Sequence, residues 1–117
     1  MIHTDLEVYK KSLLLVKTVY DLTKKFPKEE MWGLSSQMRR AAISIPSNIS
    51  EGSGRRSNKE LSHFINISLG SVAELETQIT ISLMLNFIGS NEKNLLIKEL
   101  TTIRMMLLNL MKSITHP

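Results

Sequence analysis

Four polar residues recur at helical spacing within residues 37–54. Arg40, Ser44, Asn48 and Glu51 follow one another at steps of four, four and three residues, so on a helix they form a stripe beside the apolar residues of the same stretch. This pattern predicts a hydrogen-bonded polar seam. If Arg40 and Glu51 are buried, they require partners on a neighbouring helix, because an unpaired buried charge is costly. The alternative is an ordinary solvated face.

A second polar group, around Glu74, offers partners for this stripe. Gln78 follows Glu74 by one helical turn and Ser71 precedes it by three residues, so we expect all three to face the stripe across a helix pair. Glu76 points to another side of the helix, so Glu74 and Glu76 do not form a catalytic carboxylate pair. The predicted structural polar seam comprises Arg40, Ser44, Asn48, Glu51, Ser71, Glu74 and Gln78.

The other residues capable of chemistry match no catalytic pattern. The histidines are His3, His63 and His116, and a ferritin-type dinuclear metal site needs a Glu-x-x-His motif on two helices, which the sequence lacks. The glycines fit neither a P-loop nor a dinucleotide-binding fingerprint, and no Gly-x-Ser-x-Gly motif accompanies the serines. We therefore expect no catalytic residues, metal, cofactor or small-molecule substrate.

Basic residues cluster at a turn directly after the polar stripe. Arg55, Arg56 and Lys59 follow the Gly-Ser-Gly of residues 52–54, whose free backbone amides could help to hold a phosphate group. Such a patch suits sequence-independent contacts to a nucleic-acid backbone, although the few aromatic residues form no stacking platform. The alternative is a solvated basic turn. The candidate nucleic-acid-binding residues are Lys10, Lys11, Lys17, Arg39, Arg55, Arg56 and Lys59.

Size and composition bound these possibilities. The 117 residues are expected to form a single domain, residues 1–117. The net charge of +4 suits an anionic partner, although the segment 58–90 is acidic, with one basic residue against three acidic ones. Cysteine is absent, which excludes disulfides and thiolate chemistry. Neither a secretion signal nor a membrane-spanning run is visible, so we expect a cytoplasmic protein without a membrane partner.

Apolar spacing predicts helices and no strand. The first helix is predicted for residues 5–26 and ends before Pro27, because the residue before a proline is disfavoured in a helix. The second begins within residues 28–32 and closes at the glycines of the basic turn. Pro46 lies inside it and should kink the helix near residues 42–46 rather than break it.

Two further helices follow. The third is predicted for residues 58–88, with Ser57 and Glu60 as a capping box, and its apolar residues recur in the four-three rhythm of a bundle seam. Gly70 in its middle predicts a close crossing with another helix. The fourth helix is capped within residues 90–91 and continues nearly to the end. We therefore expect an all-α, antiparallel up-down-up-down four-helix bundle.

Apolar residues exceed what one stripe per helix requires. The clearest runs are residues 13–15 and residues 105–108. Because large exposed apolar patches on small proteins mark contact surfaces, we expect a homo-oligomer. The alternative is a broad core face with a few exposed leucines.

Several segments combine into a specific pattern. They are the opening Asp5-Leu6-Glu7-Val8-Tyr9-Lys10, Phe26-Pro27 with Glu30, a core Gln-x-Arg-Arg-Ala-x-x-Ser-Ile-x-x-Asn-Ile-x-Glu-Gly within residues 34–52, and Gly70-Ser71 with Glu74 and Glu76. This pattern resembles the 23S rRNA intervening-sequence protein family, also called the S23 ribosomal protein family.

The resemblance implies a helical bundle, commonly pentameric, that some bacteria encode within an insertion in the large-subunit ribosomal RNA gene and that has no established enzymatic activity. The sequence is also similar to the accessory proteins of diversity-generating retroelements, which are basic pentameric barrels that bind nucleic acid together with a reverse transcriptase. The residues that match the family motif are Arg39, Arg40, Ser44, Asn48, Glu51, Gly52, Gly70, Ser71 and Glu74, and most of them are interpreted as structural.

Two functions are therefore expected. The first is a non-enzymatic homo-oligomer, with a pentamer favoured, that binds RNA or a nucleoprotein through basic surface residues. The second is a protein-interaction adaptor whose groove binds an amphipathic helix of a partner, with no nucleic-acid role.

Overall fold

The protein consists of four α-helices whose apolar faces meet in a shared core. The computed structural model describes residues 6–115. The helices are α1 (Glu7–Thr23), α2 (Leu34–Ser53), α3 (Asn58–Met84) and α4 (Ser90–Thr115), with a short 3₁₀ turn at Lys28–Glu30 between α1 and α2. No strand occurs within residues 6–115, in agreement with the predicted all-α fold.

Contacts along the helices show that consecutive helices run in opposite directions. At the end of α1, the Thr23 hydroxyl accepts a hydrogen bond from Arg39 in the second turn of α2 (2.8 Å). At the start of α3, the Asn58 amide donates to the carbonyl of Ile114 in the last turn of α4 (3.2 Å). Because α1 also packs against α4, the predicted antiparallel four-helix bundle is confirmed.

The core is built from the predicted apolar stripes and from small polar residues between them. Ser68 and Ser82 are fully buried in the seam of α3. The Ser68 hydroxyl donates to the Ile45 carbonyl of α2 (2.9 Å) and the Ser82 hydroxyl donates to the Gln78 carbonyl (2.8 Å), so neither buried hydroxyl lacks a partner. The largest fully buried side chains are Leu15, Met38, Ile45, Ile49, Ile65, Leu75, Ile79, Leu100, Ile103 and Leu107.

The first helix ends three residues earlier than predicted, at Thr23. Phe26 lies beyond the helix and is buried, with its ring centroid 5.2 Å from that of Phe87. Phe87 belongs to the connection between α3 and α4, so this aromatic contact joins two connections at the same end of the bundle. Burial of the Phe26 ring against a distant aromatic residue explains why the chain leaves the helix before Pro27.

The third helix ends at Met84, four residues before the predicted boundary. Asn86 adopts a left-handed conformation with φ of 62°. The backbone amide of Asn86 donates to the Leu83 carbonyl (3.0 Å), and the backbone amide of Phe87 donates to the Ser82 carbonyl (2.9 Å). These two bonds form a Schellman motif, which closes a helix by satisfying its last carbonyl groups.

The helix starts follow local capping signals. The Ser57 hydroxyl accepts a hydrogen bond from the Glu60 backbone amide at the start of α3 (3.2 Å), which is the first bond of the predicted capping box, and the Glu60 carboxylate accepts from the Ser57 hydroxyl (3.3 Å). At α4 the Glu92 carboxylate accepts from the Gly89 backbone amide (3.0 Å), so the capping position lies one residue earlier than predicted.

Pro46 is buried within α2, and the helix continues through it. No helix among the described residues is long and apolar enough to cross a membrane.

The close helix crossing lies at Gly52, whereas the prediction placed it at Gly70. A Cβ atom on Gly52 would lie 2.9 Å from the Cβ atom of Phe64 and 3.0 Å from the Leu61 Cδ1 atom. A Cβ atom on Gly70 would meet nothing within 4 Å. The prediction for Gly70 is therefore wrong within this chain, because no neighbouring atom lies close to Gly70, whereas α3 side chains lie against Gly52.

Gly52→Ala is expected to lower the free energy of unfolding by about 1–2 kcal/mol, because the added methyl group overpacks the α2–α3 contact. Gly54→Ala is the matched control, since a Cβ atom at Gly54 would have no neighbour closer than 3.7 Å, and its effect should stay within about 0.5 kcal/mol. Urea unfolding measures both. Equal stability of the two variants would contradict the close crossing at Gly52.

Candidate functional site

Three members of the predicted polar seam are hydrogen-bonded to one another where α2 meets α3. The Ser71 hydroxyl donates to the Ser44 hydroxyl (2.8 Å). The Asn48 amide donates to the Ser44 hydroxyl (3.0 Å) and to the Ser44 carbonyl (2.8 Å). Ser71 is buried and the other two are half-buried, so this short network fixes the register of the two helices.

The charged members of the predicted seam lie at the surface. Arg40 and Glu51 are exposed, and Glu51 forms an ion pair with Arg55, one helical turn further along the chain. Within residues 6–115, Arg40 has no hydrogen bond or ion pair. The expectation of buried partners on a neighbouring helix is therefore not met for Arg40 and Glu51. The stripe runs along the edge of the α2–α3 contact, where short side chains reach across and long ones extend into water.

Arg40 and Glu74 line the same shallow groove between α2 and α3. No ion pair connects them within the described part of the chain. The Glu74 carboxylate instead accepts a hydrogen bond from the amide of Gln78 on its own helix (3.2 Å), and Gln78 is only 5% exposed. We call this surface the α2–α3 groove. Its lining residues are Gln37, Arg40, Ala41, Ser44, Ser71 and Glu74.

The antiparallel topology brings most of the predicted nucleic-acid-binding residues towards one end of the bundle. Arg55 and Arg56 lie in the turn between α2 and α3, and Lys59 lies in the first turn of α3. Lys10 and Lys11 belong to the first two turns of α1, which begins at the same end. Lys112, in the last turn of α4, also lies at this end, although no pattern in the sequence pointed to it. We call this surface the basic end: Lys10, Lys11, Arg55, Arg56, Lys59 and Lys112.

Ion pairs divide the candidate cations into paired and free groups. Lys10 lies 3.5 Å from the Glu7 carboxylate, and Lys17, halfway along α1, lies 4.0 Å from Asp21. Arg55 is paired with Glu51, and its guanidinium group also lies 4.9 Å from the centroid of the Phe64 ring. Among the described residues, the exposed cations of the basic end without an ion pair are Lys11, Arg56, Lys59 and Lys112.

Arg39 has a structural position away from the basic end. Its Nε atom donates to the Thr23 hydroxyl (2.8 Å), and its guanidinium group lies 4.5 Å from the centroid of the Tyr20 ring. The Thr23 hydroxyl in turn donates to the Val19 carbonyl (2.8 Å). Arg39 therefore links α2 to the last turn of α1 through these two contacts. Its predicted contact with nucleic acid would compete with these interactions.

An ion pair between α3 and α4 has no local signal in the sequence. Glu76 pairs with Arg104, and both side chains are half-buried. The residues lie on different helices, so no spacing pattern links them.

His63 is exposed with its ring centroid 5.1 Å from that of Phe64. Within residues 6–115, no group of three or more His, Cys, Asp or Glu residues is arranged to hold a metal ion.

The fold and these surfaces define a small antiparallel helical bundle with a polar groove on one side and a basic end. A model of the 23S rRNA-intervening sequence protein family matches residues 4–109. The chain belongs to this family, which confirms the resemblance found in the sequence.

A solved structure shares the fold. It is a protein of unknown function from the S23 ribosomal protein family of Bacteroides thetaiotaomicron VPI-5482, with a TM-score of 0.80. The alignment covers 90% of this chain and 98% of that chain, at 22% sequence identity, so the likeness concerns the fold alone. No curated protein matches the sequence.

Arg39→Ala is expected to lower the free energy of unfolding by about 1–2 kcal/mol, because it removes one hydrogen bond and one cation–π contact. Arg56→Ala, which removes an exposed cation without a partner in the described chain, is the control and should change stability by less than about 0.5 kcal/mol. Chemical denaturation measures both. If Arg39→Ala leaves the free energy of unfolding unchanged, Arg39 has no structural role and is again a candidate for contact with nucleic acid.

Proposed function

We propose that this protein is a non-enzymatic, cytoplasmic, self-associating helical bundle that binds RNA, alone or within a nucleoprotein, through its basic end. The observation that carries the proposal is the collection of free cations from three separate segments at one end of the fold. Lys11 comes from the start of α1, Arg56 and Lys59 come from the α2–α3 turn and the adjoining start of α3, and Lys112 comes from the end of α4. The family name adds a link to ribosomal RNA genes.

The chemistry of the basic end suits phosphate groups better than bases. Exposed lysine and arginine side chains attract the nucleic-acid backbone without reading its sequence. Arg55 contributes less, because Glu51 neutralises it and its guanidinium group lies over Phe64. Binding should therefore be electrostatic, weakly selective for sequence and sensitive to salt.

Self-association would multiply this modest charge. Leu14 and Met105, from the two apolar runs in the sequence, are 67% and 53% exposed, which supports contacts with other copies. Five chains of charge +4 carry +20 in total. In such a pentamer, the favoured assembly, several basic ends would act on one RNA molecule.

RNA binding is tested with a short fluorescent RNA, followed by fluorescence anisotropy over a series of salt concentrations. With three or four phosphate contacts per chain, the logarithm of the binding constant should fall with the logarithm of salt concentration with a slope of about −2 to −3. Arg56→Glu with Lys59→Glu should weaken binding at low salt by roughly tenfold or more.

Lys25→Glu with Lys28→Glu is the matched control. Both residues are exposed at the opposite end of the bundle, and within residues 6–115 neither forms an ion pair. Both double variants have a net charge of zero instead of +4. A specific role for the basic end therefore requires that Arg56→Glu with Lys59→Glu lose more RNA affinity than Lys25→Glu with Lys28→Glu. Equal losses would indicate a general charge effect, and an affinity independent of salt would contradict backbone binding.

A second candidate function is a protein-interaction adaptor. The observation that favours it is a groove between α1 and α4, of about 370 Å³, in which apolar side chains (Leu14, Leu95 and Ile103) are flanked by charged ones (Lys11, Lys98 and Glu99). Leu14 and Leu95 are about two-thirds exposed, as in grooves that bind an amphipathic helix. Failure of the protein to bind RNA even at low salt would favour this function over the first.

A further inference from the structure

We infer that the face formed by the α2–α3 groove and the outer surface of α3 is the contact surface for a second copy of this chain. The inference rests on the self-association in the proposed function and identifies a contact surface on α2 and α3, separate from the exposed Leu14 and Met105 of α1 and α4. Three observations support it: an exposed stripe on α3 at the spacing of a helix–helix seam, a glycine that packing within the chain does not explain, and a pair of opposite charges without mutual contact.

The outer surface of α3 carries a repeat typical of helix–helix contacts. Its exposed positions step by three, four, three, four and three residues, which is the average spacing of 3.5 that keeps one seam towards a partner helix. The inward stripe of α3 uses the same rhythm to pack against the core. The outer stripe consists of Ile67, Gly70, Glu74, Thr77, Ile81 and Met84, all exposed.

Gly70 lies within this outer stripe, and no contact inside the chain requires a glycine at this position. A Cβ atom there would meet nothing within 4 Å, and its backbone φ is negative, so any residue would fit. Glycine in the middle of a helix is unfavourable. A close approach by another helix would use the space that a side chain would otherwise fill, as Gly52 allows α2 to approach Phe64 and Leu61.

The charges on this face complement each other. Arg40 has no partner in the described chain, and Glu74 is held at the groove by the buried Gln78 (3.2 Å). Because both residues line one groove, a second copy can place its carboxylate against the free guanidinium group. Mixed charges that match in this way favour specific self-association.

The same face is poorly suited to RNA. It carries the Glu74 carboxylate, and the segment 58–90 has three acidic residues against one basic residue. Its exposed apolar side chains include Met84, which is 74% exposed, and Ile67 and Ile81, each 38% exposed. Apolar side chains flanking matched charges are the composition of a protein–protein contact.

Mass measured by light scattering across a range of protein concentrations tests the surface. The wild-type protein should form an oligomer, and Gly70→Leu should shift it towards the single chain of 13.3 kDa, with unchanged helix content by circular dichroism. Arg40→Glu and Glu74→Arg should each raise the dissociation constant by roughly tenfold or more. Combining them should restore most of the assembly, because the exchanged charges match again.

Lys28→Glu is the control, since Lys28 is exposed outside this face and its charge reversal should not change the mass. A wild-type oligomer that is unaffected by Gly70→Leu and by both charge reversals would overturn this inference and leave the proposed self-association standing. A wild-type protein that remains a single chain would overturn the self-association itself. RNA binding by that single chain would still support the basic end.

Discussion

The close approach of α2 to α3 is the constraint on which the rest of the structure depends. The absence of a side chain at Gly52 lets the two helices meet near their turn. Further along, the Ser68 hydroxyl donates to the Ile45 carbonyl and the Ser71 hydroxyl donates to that of Ser44. These contacts fix the register of the helix pair. The same register sets both the position of the basic turn and the shape of the α2–α3 groove.

Local signals made the four helices predictable, whereas distant contacts set some of their ends. Apolar spacing identifies every helix, and Ser57 caps α3 as its sequence indicates. Phe26 was expected within α1 but packs against Phe87 from another connection. The end of α3 depends on the left-handed conformation of Asn86. An asparagine tolerates that conformation, yet nothing in the sequence distinguishes this asparagine from the others.

The surfaces were predictable only in part, because a side chain's role depends on the helix opposite it. Arg39 and Arg40 are neighbours in the sequence, yet Arg39 meets Tyr20 and Thr23 of α1 while Arg40 faces a groove without a partner in residues 6–115. The two glycines separate in the same way: Gly52 lies against Phe64, and Gly70 faces open space. Residue type and spacing pointed to Arg40 and Gly70, but only the packing tells which role each of these four residues has.

The relation between the two surfaces follows from their shared helices. The basic turn directly connects α2 to α3, so a contact between copies through the α2–α3 groove would hold their basic ends at fixed mutual distances. A single chain offers only a few free cations to RNA, and each phosphate contact is readily screened by salt. Several basic ends in a fixed arrangement bind one polyanion with a much higher effective concentration. In the proposed function, assembly through this mixed-charge face would therefore let a chain of charge +4 hold RNA at physiological salt.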